Sequence, residues 1–189
     1  MDLLNSQNIP TLGITFGLIN ENDFRNWRVT MMAPIDSPYK GGLFYLTVSF
    51  PELYPNVPPV ICFKTPIYHI NVNPFVPRNP GAEPLGFIPI RSLGFWNNNS
   101  SIKEVFLSIY SLFYYGNIDF AYEIGKTREY QNNRSLFEEK ARIFSEKYAN
   151  PVTVNENVDT SHNWNFNLDS YWDFVFILYF KKITNLLVK

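Results

Sequence analysis

Few side chains in this sequence have the chemistry of a catalytic nucleophile or a metal ligand. Cys62 is the single cysteine among 189 residues, and the two histidines are His69 and His162. One cysteine excludes an intramolecular disulfide and a cysteine-rich zinc site, and the histidines are far apart with no cysteine pair beside them. We therefore predict no metal site and no cofactor, which leaves the Cys62 thiol as a candidate nucleophile.

The position of Cys62 favours a packing role over a catalytic one. It lies in the apolar run 60–64, which predicts a strand. No neighbour in the sequence is placed to lower the pKa of its thiol, and a lone cysteine in a strand is usually a packing residue. Catalysis by Cys62 is the alternative, and a Cys62→Ala variant would test it.

Alternating and helical patterns predict an α+β fold. Short apolar runs predict strands at 13–18, 27–33, 43–50 and 60–64, and their tight turns indicate an antiparallel meander. A capping box at Ser101 and Glu104 predicts the start of a helix with one apolar stripe, and Gly116 is expected to end this helix. A second helix is predicted from about 128 to 149. We expect a four-stranded antiparallel meander with helices on one face.

Composition narrows the possible partners and compartments. The net charge is −1 and the lysines and arginines are scattered, so we predict no nucleic-acid binding. The first ten residues contain no lysine, arginine or long apolar run, which argues against a secretory signal and an Arg-rich transit peptide. An intracellular location is therefore favoured, although the sequence does not name the compartment.

A long loop is predicted between the strands and the helices. Residues 71–89 contain five prolines and three asparagines. Long loops without regular structure are usually functional or flexible.

Several motifs have an order and spacing similar to those of the ubiquitin-conjugating enzymes, over residues of about 10 to 150. Those before the long loop are Tyr39-Lys40-Gly41-Gly42-Leu43-Phe44, Phe50-Pro51, Tyr54-Pro55, Pro58-Pro59 and Lys64-Thr65-Pro66-Ile67-Tyr68-His69. Those after it are Trp96, the helix from Ile102, and Asn132-Asn133-Arg134 followed by Phe137-Glu138-Glu139-Lys140-Ala141-Arg142. The resemblance implies a ubiquitin-conjugating-enzyme-like fold for residues 1–150.

The resemblance also implies a catalytic cysteine, which this chain does not have at the matching position. In the family a Cys thiolate carries ubiquitin as a thioester and follows a His-Pro-Asn motif. Here that motif is His69-Ile70-Asn71, and the Gly-Glu-Ile-Cys-Leu-Asp stretch matches residues 86–91, so Pro89 stands where the Cys would be. Proline has no nucleophile, and no adjacent Ser, Thr or Lys is an obvious replacement. His69, Asn71 and Pro89 are the predicted degenerate site.

The resemblance assigns two of these residues roles that depend on the missing sulfur. In an active relative Asn71 would stabilise the oxyanion of the attack on the thioester. Here we expect Asn71 to hydrogen-bond the long loop instead, and His69 to be a structural residue at the end of the fourth strand.

Other features depart from the family. Its long N-terminal helix is shortened, because only residues 1–10 precede the first strand, and residues 97–99 are asparagines where the ligase-facing loop usually holds Ser-Pro-Ala. Inactive relatives, the ubiquitin-conjugating enzyme variants, also lack the Cys, but they usually lack the C-terminal helix predicted here. The chain thus resembles a degenerate conjugating enzyme more than a typical variant.

The C-terminal residues add a feature outside the resemblance. Residues 151–167 form a polar linker, and residues 168–189 are predicted to form an apolar helical extension. One stripe of this helix, the predicted partner-binding surface, is formed by Trp172, Phe176, Tyr179, Ile183 and Leu187. A helix apolar on nearly all sides must be covered. A protein partner is favoured, the chain's own domain is one alternative, and membrane contact with Lys181 and Lys182 at the headgroups is another.

Together these features predict a catalytically inactive protein of the ubiquitin-conjugating fold. It would act as a non-catalytic binding or scaffold subunit of a larger protein assembly, through its C-terminal extension. The alternative is a ubiquitin-pathway cofactor that pairs with an active conjugating enzyme and orients ubiquitin.

Overall fold

The fold is built on an antiparallel sheet whose strands follow one another in chain order. A computed structural model of the protein describes residues 8–9, 12–75, 77–94 and 96–150. Its strands are β1 (Asn8–Ile9), β2 (Ile14–Asn20), β3 (Asp23–Met32), β4 (Leu43–Ser49), β5 (Val60–Phe63) and β6 (Phe87–Ile88). The linker 151–167 and the extension 168–189 lie outside the described residues, so the domain boundaries stay predictions.

The four predicted strands are confirmed as β2 to β5. Alternation sets their register: Val29 pairs with Leu46 and Met31 with Phe44, and all four side chains are buried in the core. The sheet also has β1 and β6, which the sequence did not predict because two residues are too few to show alternation. The last part of the predicted N-terminal helix, Asn8–Ile9, is therefore strand, and residues 1–7 lie outside the described residues.

Helix α1 (Ile102–Leu112) covers one face of the sheet. The predicted capping box is confirmed, since the Ser101 hydroxyl accepts from the Lys103 N–H and the Glu104 carboxylate accepts from the Ser101 N–H. Its apolar stripe is buried, and the Phe106 ring lies 5.4 Å from that of Phe16 in β2.

The predicted end of α1 at Gly116 is wrong, because the helix ends four residues earlier at Leu112. A Cβ atom at Gly116 would lie 2.6 Å from the Ile70 side chain. Glycine is thus required at 116 for close packing, which is a tertiary reason that a helix-end pattern does not reveal.

The predicted helix 128–149 is two helices, α2 (Ile124–Asn132) and α3 (Arg134–Tyr148). Asn133 breaks the helix with φ −144° and ψ 69°, and its side chain accepts from the Leu136 N–H as the N-cap of α3. Local hydrogen bonding by an asparagine side chain thus competes with the continuous helix that the apolar spacing predicted.

The two glycines at 41 and 42 allow α3 to approach the sheet. Gly41 has φ +76°, and a Cβ at Gly42 would lie 2.5 Å from the Ser145 hydroxyl of α3. The Leu43 N–H donates to the Ala149 carbonyl at 2.8 Å, and this hydrogen bond connects the end of α3 to the start of β4. Within the described part of the chain, no helix is long and apolar enough to cross a membrane.

Candidate functional site

His69 is buried and oriented by two hydrogen bonds. Its Nδ1 accepts from the Asn71 N–H at 3.0 Å, so the proton lies on Nε2, which is 3.0 Å from the Leu112 carbonyl oxygen of α1. Burial lowers the pKa of His69 to about 4, so the imidazole is neutral near pH 7. The ring joins the segment after β5 to the end of α1, and both of its nitrogens are occupied.

Asn71 is fully buried, and its side-chain amide is fully used by the segment that follows α1. Nδ2 donates to the carbonyl oxygens of Asn117 and Phe120, and Oδ1 accepts from the Asn117 N–H at 2.7 Å. Both amide hydrogens are thus taken, and none is left for a developing oxyanion. The predicted hydrogen bond from Asn71 to the long loop is wrong, because its partners belong to residues 117–120.

Pro89 is buried directly after β6 and begins a 3₁₀ turn at Ile90–Ser92. Its carbonyl accepts from both the N–H and the hydroxyl of Ser92, at 2.8 and 2.7 Å. The Ser92 side chain is buried and occupied by this contact. The hydroxyl nearest in sequence therefore closes the turn and does not offer a replacement nucleophile.

Asn73, which sequence analysis did not select, holds the long loop and connects it to β6. Its backbone donates to the Phe87 carbonyl at 2.9 Å and accepts from the Gly86 N–H at 2.8 Å. Its side chain donates to the carbonyls of Glu83 and Pro84, each at 3.0 Å. The only available signal was the Asn73-Pro74 dipeptide, a common turn initiator.

Tyr122 is a second residue that the sequence did not reveal. Its N–H donates to the Ile70 carbonyl at 3.0 Å, and its hydroxyl donates to the Glu83 carboxylate at 2.8 Å. Burial and this carboxylate raise the pKa of Tyr122. Tyr122 thus connects the segment after α1 to the His69–Asn71 segment and to Glu83, which lies near the end of the long loop.

Cys62 is buried in β5, opposite Thr47 of β4 and Phe87 of β6. Its neighbours Ile61 and Phe63 belong to the core, so strand alternation places the thiol on the other face of the sheet. Burial raises its pKa, which keeps the sulfur protonated and poorly nucleophilic.

His69 and Asn71 lie in the segment that follows β5. Asn73 of the same segment is hydrogen-bonded to Phe87 of β6, two residues before Pro89. The predicted partner-binding residues Trp172, Phe176, Tyr179, Ile183 and Leu187 lie outside the described residues. Among the described residues no group of three or more His, Cys, Asp or Glu side chains could hold a metal ion.

The antiparallel meander, with α1 packed on one of its faces and α2 and α3 following in the chain, defines a ubiquitin-conjugating-enzyme-like α+β fold. The Ubiquitin-conjugating enzyme family profile matches residues 1–145. The chain is 31% identical over 137 residues to Ubiquitin-conjugating enzyme E2 13 of Arabidopsis thaliana, covering 69% of this chain and 81% of that protein. The chain belongs to the ubiquitin-conjugating enzyme family.

A solved structure supports the same fold. The crystal structure of a Plasmodium yoelii protein assigned to the ubiquitin conjugating enzymes is similar with a TM-score of 0.62 and 27% identity. The similarity covers 77% of this chain and 87% of that one.

Proposed function

We propose that this chain is a catalytically inactive member of its family that acts as a binding or scaffold subunit of a larger protein assembly. The observation that carries the proposal is Pro89, a buried residue without a nucleophile at the position that matches the family's thioester-forming cysteine. A thioester requires a sulfur at the reacting position, and the proline ring offers no atom that can accept the acyl group.

Two further observations support inactivity. The oxyanion donor that the resemblance assigns to Asn71 is absent, because both of its amide hydrogens bind carbonyls of residues 117–120. The chain's one thiol, Cys62, has a raised pKa and is buried in β5 between β4 and β6. In addition, Ile70 stands where the His-Pro-Asn motif of the family has its proline, so the motif differs from the family at a second position.

The scaffold role rests on the extension. The predicted helix 168–189 is apolar on most of its sides, and burying each large apolar side chain contributes about 1.5–3 kcal/mol. A retained binding fold joined to an apolar segment favours assembly with a protein partner over catalysis.

A thioester assay tests inactivity. Full-length protein is incubated with activating enzyme, ATP and ubiquitin, next to an active conjugating enzyme, and the products are separated with and without reductant. No adduct is expected with the wild-type chain. A reducible adduct would overturn the proposal, and its loss in Cys62→Ala would assign it to Cys62. An adduct in Pro89→Cys alone would attribute the inactivity to the missing sulfur.

The assembly role is tested by comparing two full-length variants purified from the native source. Changing Trp172, Phe176 and Tyr179 together to alanine should release the co-purifying subunits, because it removes three aromatic anchors. The matched control changes Asn155, Asn157 and Asn163 of the linker to alanine and should keep them. Equal recovery in both variants would move the interface away from the extension.

The alternative role as a ubiquitin-pathway cofactor is separated by NMR titration. Labelled ubiquitin, and then an active conjugating enzyme, is titrated with the full-length chain. Absence of saturable shifts in both titrations favours the scaffold role, and saturable shifts in either would favour the cofactor.

A further inference from the structure

A surface rich in tyrosine lies at the C-terminal end of α1. Tyr110 belongs to the last turn of the helix, and Tyr114 and Tyr115 directly follow it. The ring centroids of Tyr110 and Tyr114 are 6.5 Å apart, and those of Tyr114 and Tyr115 are 6.1 Å apart. The three rings therefore form one contiguous aromatic surface.

One carboxylate belongs to this surface. The Tyr114 hydroxyl donates to Oδ1 of Asp36 at 2.7 Å, which joins the segment between β3 and β4 to the end of α1. Asp36 is exposed and forms no ion pair with any of the described residues. The Arg134 guanidinium binds the Tyr114 carbonyl, but its ion pair is with Glu138. The negative charge of Asp36 is therefore available to a partner.

Exposed apolar side chains extend the surface. Tyr115 is 74% exposed, and Ile35, which precedes Asp36, is 75% exposed. Leu107 is 37% exposed and lies three residues before Tyr110, on the same side of α1. Contiguous exposed apolar groups mark interaction sites, and tyrosine is enriched at protein interfaces. We call this surface the tyrosine patch, and its residues are Ile35, Asp36, Leu107, Tyr110, Tyr114 and Tyr115.

We propose that the tyrosine patch binds an arginine side chain of a protein partner. A guanidinium group is planar, stacks on aromatic rings and pairs with carboxylates, so it matches both features of the patch. Its charge would pair with Asp36, and its plane would lie on the exposed ring of Tyr115. Apolar residues beside the arginine would cover Ile35 and Leu107. The patch is separate from the extension, so the inference goes beyond the proposed function.

Selection from a library of random short peptides tests this inference. Full-length wild-type protein is the bait, and peptides that also bind the Tyr115→Ala variant are removed beforehand. We expect the recovered peptides to share an arginine and to bind wild type saturably. Replacing that arginine with citrulline keeps the shape and removes the charge. This replacement should weaken binding about tenfold or more, which corresponds to about 1.4 kcal/mol.

Matched variants locate the binding on the patch. Asp36→Asn removes the charge but keeps an oxygen for the Tyr114 hydroxyl, and it should weaken the peptide about tenfold. Tyr115→Phe keeps the ring and should bind within about twofold of wild type. Phe24→Ala changes an aromatic residue that is 67% exposed, and Glu52→Gln changes an exposed carboxylate. Both controls lie outside the patch and should bind as tightly as wild type.

The inference is overturned if no peptide depends on Tyr115, if the recovered peptides share no arginine, or if Asp36→Asn binds as tightly as wild type. The altered side chains are exposed, so the variants should unfold at the wild-type temperature, which confirms that any loss is local. The variant with Trp172, Phe176 and Tyr179 changed to alanine should still bind the peptide, which separates this inference from the proposed scaffold role. Loss of the peptide in that variant would place the site on the extension and overturn the inference.

Discussion

The buried His69 should make the stability of this protein depend on pH in a range where most carboxyl groups are still ionised. An unperturbed histidine has a pKa of about 6.5, and burial lowers that of His69 to about 4 in the folded chain. Between these values the unfolded chain binds a proton that the folded chain does not. The free energy of unfolding therefore falls as the pH falls through this window. For these two values linkage gives a loss of about 2 kcal/mol between pH 7 and pH 5.

Urea unfolding of the full-length protein at half-unit steps from pH 7 to pH 5 measures this loss. His69→Gln removes the titrating group and keeps an amide that can both donate and accept. Its unfolding free energy should be lower than wild type at pH 7 but should change much less with pH. His162→Gln is the matched control and should keep the wild-type slope. The reasoning fails if wild type and His69→Gln lose stability equally between pH 7 and pH 5.

Three packing and capping contacts give further expectations, each measured by the free energy of unfolding in urea. Gly42→Ala should cost about 1–3 kcal/mol because the added methyl overlaps a hydroxyl and a ring. Gly17→Ala, which has open space around it, should cost far less, and an equal loss would contradict the packing argument. Phe106→Ala should cost about 3–5 kcal/mol because it empties a core position, whereas the half-exposed Leu107→Ala should cost much less. Ser101→Ala should cost about 1 kcal/mol through the lost N-cap, and an unchanged stability would show that the cap is replaced by water.

The hydrogen bonds of Asn71 and His69 show what these two residues do in the folded chain. Asn71 keeps the residue type that the resemblance associates with oxyanion stabilisation, yet its amide binds the backbone of residues 117–120. The His69 ring beside it accepts the Asn71 N–H and is neutral. Both residues therefore join the segment after β5 to α1 and to residues 117–120.

Local patterns in the sequence were sufficient to predict the elements that depend only on residues near one another in the chain. Alternation of apolar residues predicted β2 to β5, and the capping box with its apolar stripe predicted the start of α1. The prediction that Pro89 matches the family's cysteine position likewise comes from the sequence alone. These features depend on neighbouring residues, whose spacing along the chain is directly visible.

Contacts between residues that are distant in sequence determined the features that the sequence did not predict. The end of α1, the partners of Asn71, and the roles of Asn73 and Tyr122 all depend on segments that only the fold brings together. The break at Asn133 is local, because its side chain caps α3, but an asparagine can also continue a helix, so the sequence alone did not select the break. The sequence thus determined the type of fold, and it predicts that no nucleophile stands at the position matching the family's cysteine. The tertiary structure decided what the remaining site residues bind, because a buried polar side chain takes the partners that the fold places within its reach.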